Sequence, residues 1–238
     1  MAVPGGRARN KYERLSEQHR DRVRARRPVI LAIAGVFAVA VYVAATRFYP
    51  GWGIAAALVT FVGAYFSLTE TPQHIAAWKI GAEGEEQTAR ALVGLERKGY
   101  SILHDRMAFG CPGNIDHVVI GPTGVFVIET KSWQGKVKIR GKDIWVDGRK
   151  RSEVVDQVLA EASAVQAALG DVLTVLETPI VPLICVHRAD LPLFGSRCRG
   201  VPLLTSRGLV RAVERGGRRL DEATVADLAK LAEAKLRG

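Results

Sequence analysis

Cysteine is scarce in this 238-residue chain, and the three present (Cys111, Cys185, Cys198) show no C-x-x-C spacing. That excludes a zinc ribbon and a disulfide framework, and makes the reducing cytosol the expected surroundings of the soluble part. Aromatic residues are few, at 7%. The chain has no Walker loop, no dinucleotide glycine fingerprint and no H-E-x-x-H helix, so the usual signatures of nucleotide binding and zinc proteolysis are missing. Internal repeats and low-complexity linkers are also lacking. Acids are outnumbered, 24 against 34 basic residues, and 48% of the chain is hydrophobic, which rules out a disordered tail protein.

The chain is rich in uninterrupted apolar sequence. Residues 29–45 carry no charge, and Pro28 and Thr46 extend the run. At about 1.5 Å per residue, such a run crosses a hydrocarbon layer roughly 30 Å thick. A second uncharged run, residues 50–69, follows after Arg47, Phe48 and Tyr49, so residues 28–69 predict a transmembrane helical hairpin. Phe48, Tyr49 and Trp52 are placed as interfacial aromatics. Nine basic residues and three acids precede the first span, and a single arginine stands between the spans. The bias predicts both termini in the cytoplasm, with residues 1–27 a basic cytosolic tail and residues 72–238 a cytosolic domain. A cleaved signal peptide would leave the second apolar run unexplained. Small residues four apart (Ala34 and Ala38, Gly53 and Ala57) would permit helix–helix self-association.

The cytosolic part reads as a mixed α/β or α+β domain. A helix is predicted over residues 80–97, stopped by Gly99, then a strand at 100–103. Residues 115–121 and 124–131 form a hairpin about Pro122-Thr123, and 136–140 with 144–147 form a second. Ser152 is expected to cap a helix over 153–169 closed by Gly170. Strands at 180–186 and 201–204 follow, then helices at 206–215 and 221–236, the last capped by Asp221.

Chemistry concentrates on the first hairpin. Glu129 and Lys131 are two apart and share a strand face, and the short turn brings Asp116 alongside. Two carboxylates and an amine at a strand end suit a hard divalent cation held by oxygen ligands, with the amine aimed at an attacking water or a developing phosphoryl charge. Alone, Glu129 and Lys131 would read as a solvated ion pair; inside the apolar run 125–128, beside Asp116 and after an acidic helix start, they read as a site. Glu85 also suits the first turn of a helix. His117, next to Asp116, points to the opposite face and is expected to pack or hydrogen-bond. Cys111 reads as a loop residue.

Together these residues resemble the nuclease-related domain (NERD) family of the PD-(D/E)xK nuclease superfamily. G-A-E-G-E at 81–85, N-I-D-H-V-V-I-G at 114–121, G-V-F-V-I-E-T-K at 124–131 and Asp156-Gln157 carry the resemblance, which covers about residues 78–190. Val154-Val155-Asp156 stands where the family has Asn-Pro. The resemblance implies a restriction-endonuclease-like core sheet flanked by helices. It makes Asp116 and Glu129 metal ligands for Mg²⁺ or Mn²⁺, Lys131 the catalytic lysine, Glu85 the helix carboxylate and Gln157 the helix amide.

A basic strand follows. Lys136, Lys138 and Arg140 alternate with Val137 and Ile139, and Trp133 and Trp145 are interleaved, as a phosphate-backbone track with stacking platforms would require. A solvated, edge-protecting lysine row has the same pattern. The expectation is a membrane-anchored nuclease acting on DNA or RNA. The alternative is a catalytically idle nucleic-acid-binding or scaffold module at the lipid bilayer.

Overall fold

The computed structural model describes residues 3–48, 51–111, 113–192 and 196–238. Tyr49, Pro50 and Pro112 lie outside them. The chain divides into two compact units, Asn10–Trp78 and Lys79–Gly238, the second joined by Met1–Arg9.

The first unit is helical. Helix α1 (Gly6–Phe48) continues through Pro28, so the basic segment and the apolar run share one helix. Its apolar half leaves Val29, Val36, Phe37 and Val39 exposed. Helix α2 (Gly53–Thr69) opens on a glycine whose added Cβ would fall 2.5 Å from Thr46 Cγ2, so that glycine permits a close approach. The hydroxyls of Thr46, Thr60 and Thr69 donate to carbonyls one turn back, so these three polar tips are satisfied within their own helices. Among the described residues two helices are long and apolar enough to cross a membrane, α1 and a later one, α4 (Glu153–Val175). Helix α2 meets the test only with α3 (Gln73–Glu96), which follows a short bent break. The expected two-span hairpin is thus supported for its first span, and for its second only as a bent pair.

In the second unit, α3 ends at a turn where Gly99 takes φ +83°, a left-handed stop that glycine adopts at little cost. The helix starts seven residues before the predicted boundary. The strands β1 (Ser101–Arg106), β2 (Ile115–Gly121) and β3 (Gly124–Arg140) form an antiparallel meander, with Gly121 opposite Gly124 across the two-residue turn. After β4 (Asp143–Val146) and β5 (Arg149–Lys150), α4 crosses over to β6 (Ile180–Asp190), which pairs parallel to β3. Then come β7 (Arg197–Cys198), β8 (Val201–Leu204), α5 (Ser206–Glu214) and α6 (Glu222–Lys235). The sheet order is β1-β2-β3-β6-β8-β7, and β4 and β5 pair off the far end of β3.

The central strand explains the layering. Val125 to Ile128 is a continuous apolar run, as expected of a strand covered on both faces. Val125 and Val127 pack with Val155, Val158, Val165 and Leu228 of α4 and α6. Phe126 and Ile128 pack with Leu92, Leu95, Leu209 and Val213 of α3 and α5. The apolar stripe of α4 is therefore occupied by the sheet. The mixed α/β sheet flanked by helices is the fold class expected of a nuclease-like core.

Three local expectations are corrected. The strands predicted at 124–131 and 136–140 are one strand, kinked by a bulge between Ser132 and Gly135. Helix α4 runs through Gly170 to Val175, because burying Leu169 and Leu173 outweighs a glycine's helix cost of about 1 kcal/mol. Ser152 precedes α4 without capping it; its hydroxyl donates to Asp143 Oδ1 at 2.9 Å and accepts from the Ile144 N–H at 3.0 Å. Asp221 does cap α6, accepting from the Thr224 N–H at 2.8 Å.

Gly135 carries the bulge. Its φ is +94°, and an added Cβ would lie 1.8 Å from Asp147 Oδ2, whose partner oxygen accepts the Lys136 N–H at 2.8 Å. Gly135→Ala is expected to cost about 1–3 kcal/mol. Thermal unfolding of the full chain in detergent should show the loss as a midpoint several degrees lower; an unchanged midpoint would contradict this reading of the bulge.

Candidate active site

The antiparallel ladder between β2 and β3 pairs His117 with Ile128 and goes no further. The next donor on β3, the Thr130 N–H, is taken by a side chain instead: Asp116 Oδ2 accepts it at 2.7 Å. Asp116 thereby sits beside Glu129 on the α4 face of the sheet. Glu129 is 2% exposed, and Lys131 Nζ donates to its Oε1. The lysine also donates to Gln157 Oε1 at 3.2 Å, and Gln157 Nε2 donates to Glu161 Oε1 at 2.9 Å. Asp116, Glu129, Lys131 and Gln157 thus come together at the end of β3. The second oxygens of Glu129 and Glu161 are buried without a hydrogen-bond partner.

Glu85 joins from α3. Gly84 lets this helix approach β3: a Cβ there would fall 2.0 Å from Ser132 Oγ and 3.4 Å from its Cβ. Glu85 lies within the field of Asp105 and Glu129, and its carboxyl is pushed up to about 7 by burial, then by repulsion from both, with Lys131 and the Gly5 N–H opposing. Burial, Glu129 and Glu85 drive Asp116 well above the usual carboxylate range. Burial and Glu129 raise Glu161 to about 9. Burial alone would lower Lys131, but attraction to Glu129 outweighs it and its ammonium is held above the ordinary value. The site is a set of carboxylates that one lysine does not neutralise. Among the described residues, no three acid, histidine or cysteine side chains already stand at metal-ligating distance.

Behind β3, Thr130 donates to the Thr88 hydroxyl at 3.0 Å, and Thr88 bonds His187 Nε2 at 2.7 Å, fixing the strand end to α3 and β6. His117 is fully buried with its Nδ1 2.8 Å from that of His104, and burial depresses it to about 3. This is the hydrogen-bonding environment its position suggested.

Two acids escaped the sequence reading. Glu161 lies one helical turn beyond Gln157, and as the sole acid between Val158 and Gly170 it interrupts an apolar stripe, a signal that was available. Asp105, 6% exposed with φ +50°, stands outside every motif.

Past the bulge, Lys136, Lys138 and Arg140 are exposed, and Trp145 lies opposite Lys138 in register, with Lys150 opposite Trp145 in turn. A groove of about 370 Å³ is lined by these three cations with Trp145, Asp147 and Gly148. Trp133 is half-buried and packs against the main core.

Residues 80–187 match the family model of the nuclease-related domain, NERD. An uncharacterized protein of Bacillus anthracis, pXO1-01, is 40% identical over 86 residues, which cover 34% of this chain and 40% of that protein. The chain therefore spans about two fifths of the length of this relative. No solved structure matches.

The raised carboxyls set a pH dependence. A group whose folded pKa exceeds its unfolded value stabilises the fold at low pH and loses that contribution as pH rises through the folded value. For Glu161 the loss extends from about 4.5 to about 9. Between pH 7 and 9, without divalent ions, the melting midpoint is expected to fall more steeply in the parent chain than in Glu161→Gln, which cannot charge. Parallel curves from scanning calorimetry would refute the assignment.

Proposed function

Because residues 80–187 make up a nuclease-related domain, we propose that the chain is a membrane-anchored, divalent-metal-dependent nuclease that hydrolyses phosphodiester bonds of nucleic acid on the cytosolic side. The observation that carries this reading is the convergence of Asp116, Glu129, Lys131 and Gln157 at the end of β3. The donor set suits a hard cation: carboxylate oxygens, one of them orphaned on Glu129, in a pocket where burial and repulsion from Glu129 and Glu85 disfavour the charged form of Asp116. Asp116 and Glu129 would hold Mg²⁺ or Mn²⁺, which when bound supplies neutralising charge and polarises the phosphodiester.

The chain's own groups do the rest. Gln157 accepts from the lysine and donates to Glu161, so the ammonium is aimed from two sides. In that position Lys131 stabilises negative charge on the phosphoryl oxygens or orients the attacking water. Glu85, pushed toward neutrality, is suited to take a proton near pH 7. The exposed row of Lys136, Lys138 and Arg140 carries the phosphate backbone, and Trp133 and Trp145 flank it. The apolar half of α1, with α2, anchors the domain in the bilayer, and the basic excess before it keeps the nuclease domain cytosolic.

Asp116→Asn and Glu129→Gln are expected to abolish both Mn²⁺ binding and cleavage while the fold is retained. Lys131→Ala should bind Mn²⁺ yet cleave about 10²–10³-fold more slowly. The test is cleavage of single- and double-stranded oligonucleotides by the full chain in detergent micelles, with calorimetric Mn²⁺ titration. Binding of oligonucleotide without cleavage in the parent chain would instead identify a nucleic-acid-binding scaffold.

Replacing Lys136, Lys138 and Arg140 together by Gln should flatten the log–log salt dependence of oligonucleotide binding by about 0.7–0.9 per lost phosphate contact, with Mn²⁺ affinity unchanged. Fluorescence anisotropy across a salt series measures this; an unaltered slope reduces the strand to a solvated edge.

A further inference from the structure

The first residues of the chain read as part of a basic tail, yet residues 5–9 lie against the nuclease-related unit. Gly5 is buried with φ +68°, and an added Cβ would come within 2.8 Å of the Ala82 carbonyl oxygen. The Arg7 N–H donates to Asp105 Oδ2 at 3.3 Å. Its guanidinium has Nε 3.5 Å from Asp105 Oδ1 and donates through Nη1 to Asn114 Oδ1. Arg9 donates from Nε to Glu86 Oε1 at 2.9 Å. Ala8 is buried.

Every receiver borders the site. Ala82 and Glu86 flank Glu85 on one stretch of α3. Asn114 precedes Asp116 by two residues. Asp105 is, with Glu129, one of the two carboxylates whose field reaches Glu85. It is 6% exposed, and without Arg7 it would be a buried, uncompensated anion beside the other carboxylates. Arg7 and Asp105 are 98 residues apart, so the contact closes a long loop and needs several specific interactions to persist.

We propose that residues 5–9 are a built wall of the candidate site, with Arg7 as a positioning residue that pairs Asp105 and holds Asn114. Docked, the segment keeps the buried charge of Asp105 compensated beside Glu85 and Asp116. Gly6 is also the first residue of α1, so the wall is the opening turn of the helix that carries the apolar run. The kinetic consequence rests on the nuclease reading; the docking does not.

The test uses the full chain in detergent micelles and the variants Gly5→Val, Arg7→Ala and Arg7→Ala/Asp105→Asn. Gly5→Val evicts the segment by bulk, Arg7→Ala by loss of charge. By hydrogen exchange, the amides of residues 7 and 9, corrected for intrinsic rates, should exchange at least about tenfold more slowly in the parent chain than in either single variant. With an oligonucleotide and Mn²⁺, both single variants should lose about tenfold in kcat while KM stays within about twofold. The double variant, which removes the orphaned charge, should recover to within about threefold of the parent kcat, a rescue that a purely structural contact would not give. Equal exchange in parent and single variants overturns the docking. A double variant no better than Arg7→Ala overturns the pairing role. If the parent cleaves nothing, the nuclease reading falls, and hydrogen exchange alone decides the wall: protected amides support it and freely exchanging ones end it.

Discussion

The organising constraint is the burial of several carboxylates around one ammonium. Charge is costly in a dry pocket unless it is matched, and here Lys131 faces Glu129, Asp116, Glu161 and Glu85. The fold supplies neutral partners wherever a second cation is missing. The Thr130 N–H leaves the ladder to serve Asp116, and the Gln157 amide bridges the lysine to Glu161. What remains unmatched, one oxygen each on Glu129 and Glu161, marks where the arrangement is incomplete by itself. Packing makes the imbalance possible: β3 is apolar on both faces up to Ile128, so Glu129 emerges from a dry core with little water to solvate it.

The opposite face of the same strand has a different task. Thr130 points toward Thr88 and His187, and this neutral chain of hydroxyls and imidazole locks α3 to the strand end. Gly84 sets the distance of that contact. The strand thus alternates between a charged residue on one face and a neutral one that fixes the other, a division that strand geometry imposes through its two-residue period.

Features governed by nearby residues were legible in the sequence. The hairpin about Pro122-Thr123, the stop at Gly99 and the cap at Asp221 all follow from local turn and capping chemistry, and Glu129 and Lys131 share a face through strand period alone. Features decided by distant packing were not. Gly135 reads as a breaker, but β6 continues alongside it and the strand survives as a bulge. Gly170 reads as a stop, but Leu173 beyond it finds a buried place. Glu161 has no motif of its own; only the position of Gln157 gives it meaning. The contacts of residues 5–9 were hidden because their partners lie 77 to 107 residues away.

The continuity of β3 through its bulge fixes a length. Glu129 and the cations of 136–140 stand on one backbone, so the interval between them is set by strand rise and not by a linker. At about 3.3 Å per residue, Lys138 lies roughly 30 Å along the strand from Glu129, shortened somewhat by the kink. Under the proposed function, a polymer gripped at one end and cut at the other would span that interval, which at about 3.4 Å per phosphate on one strand of a duplex is roughly nine phosphates. The strand therefore fixes the interval between the carboxylate end and the cationic end, and a chain shorter than that interval reaches one or the other, but not both.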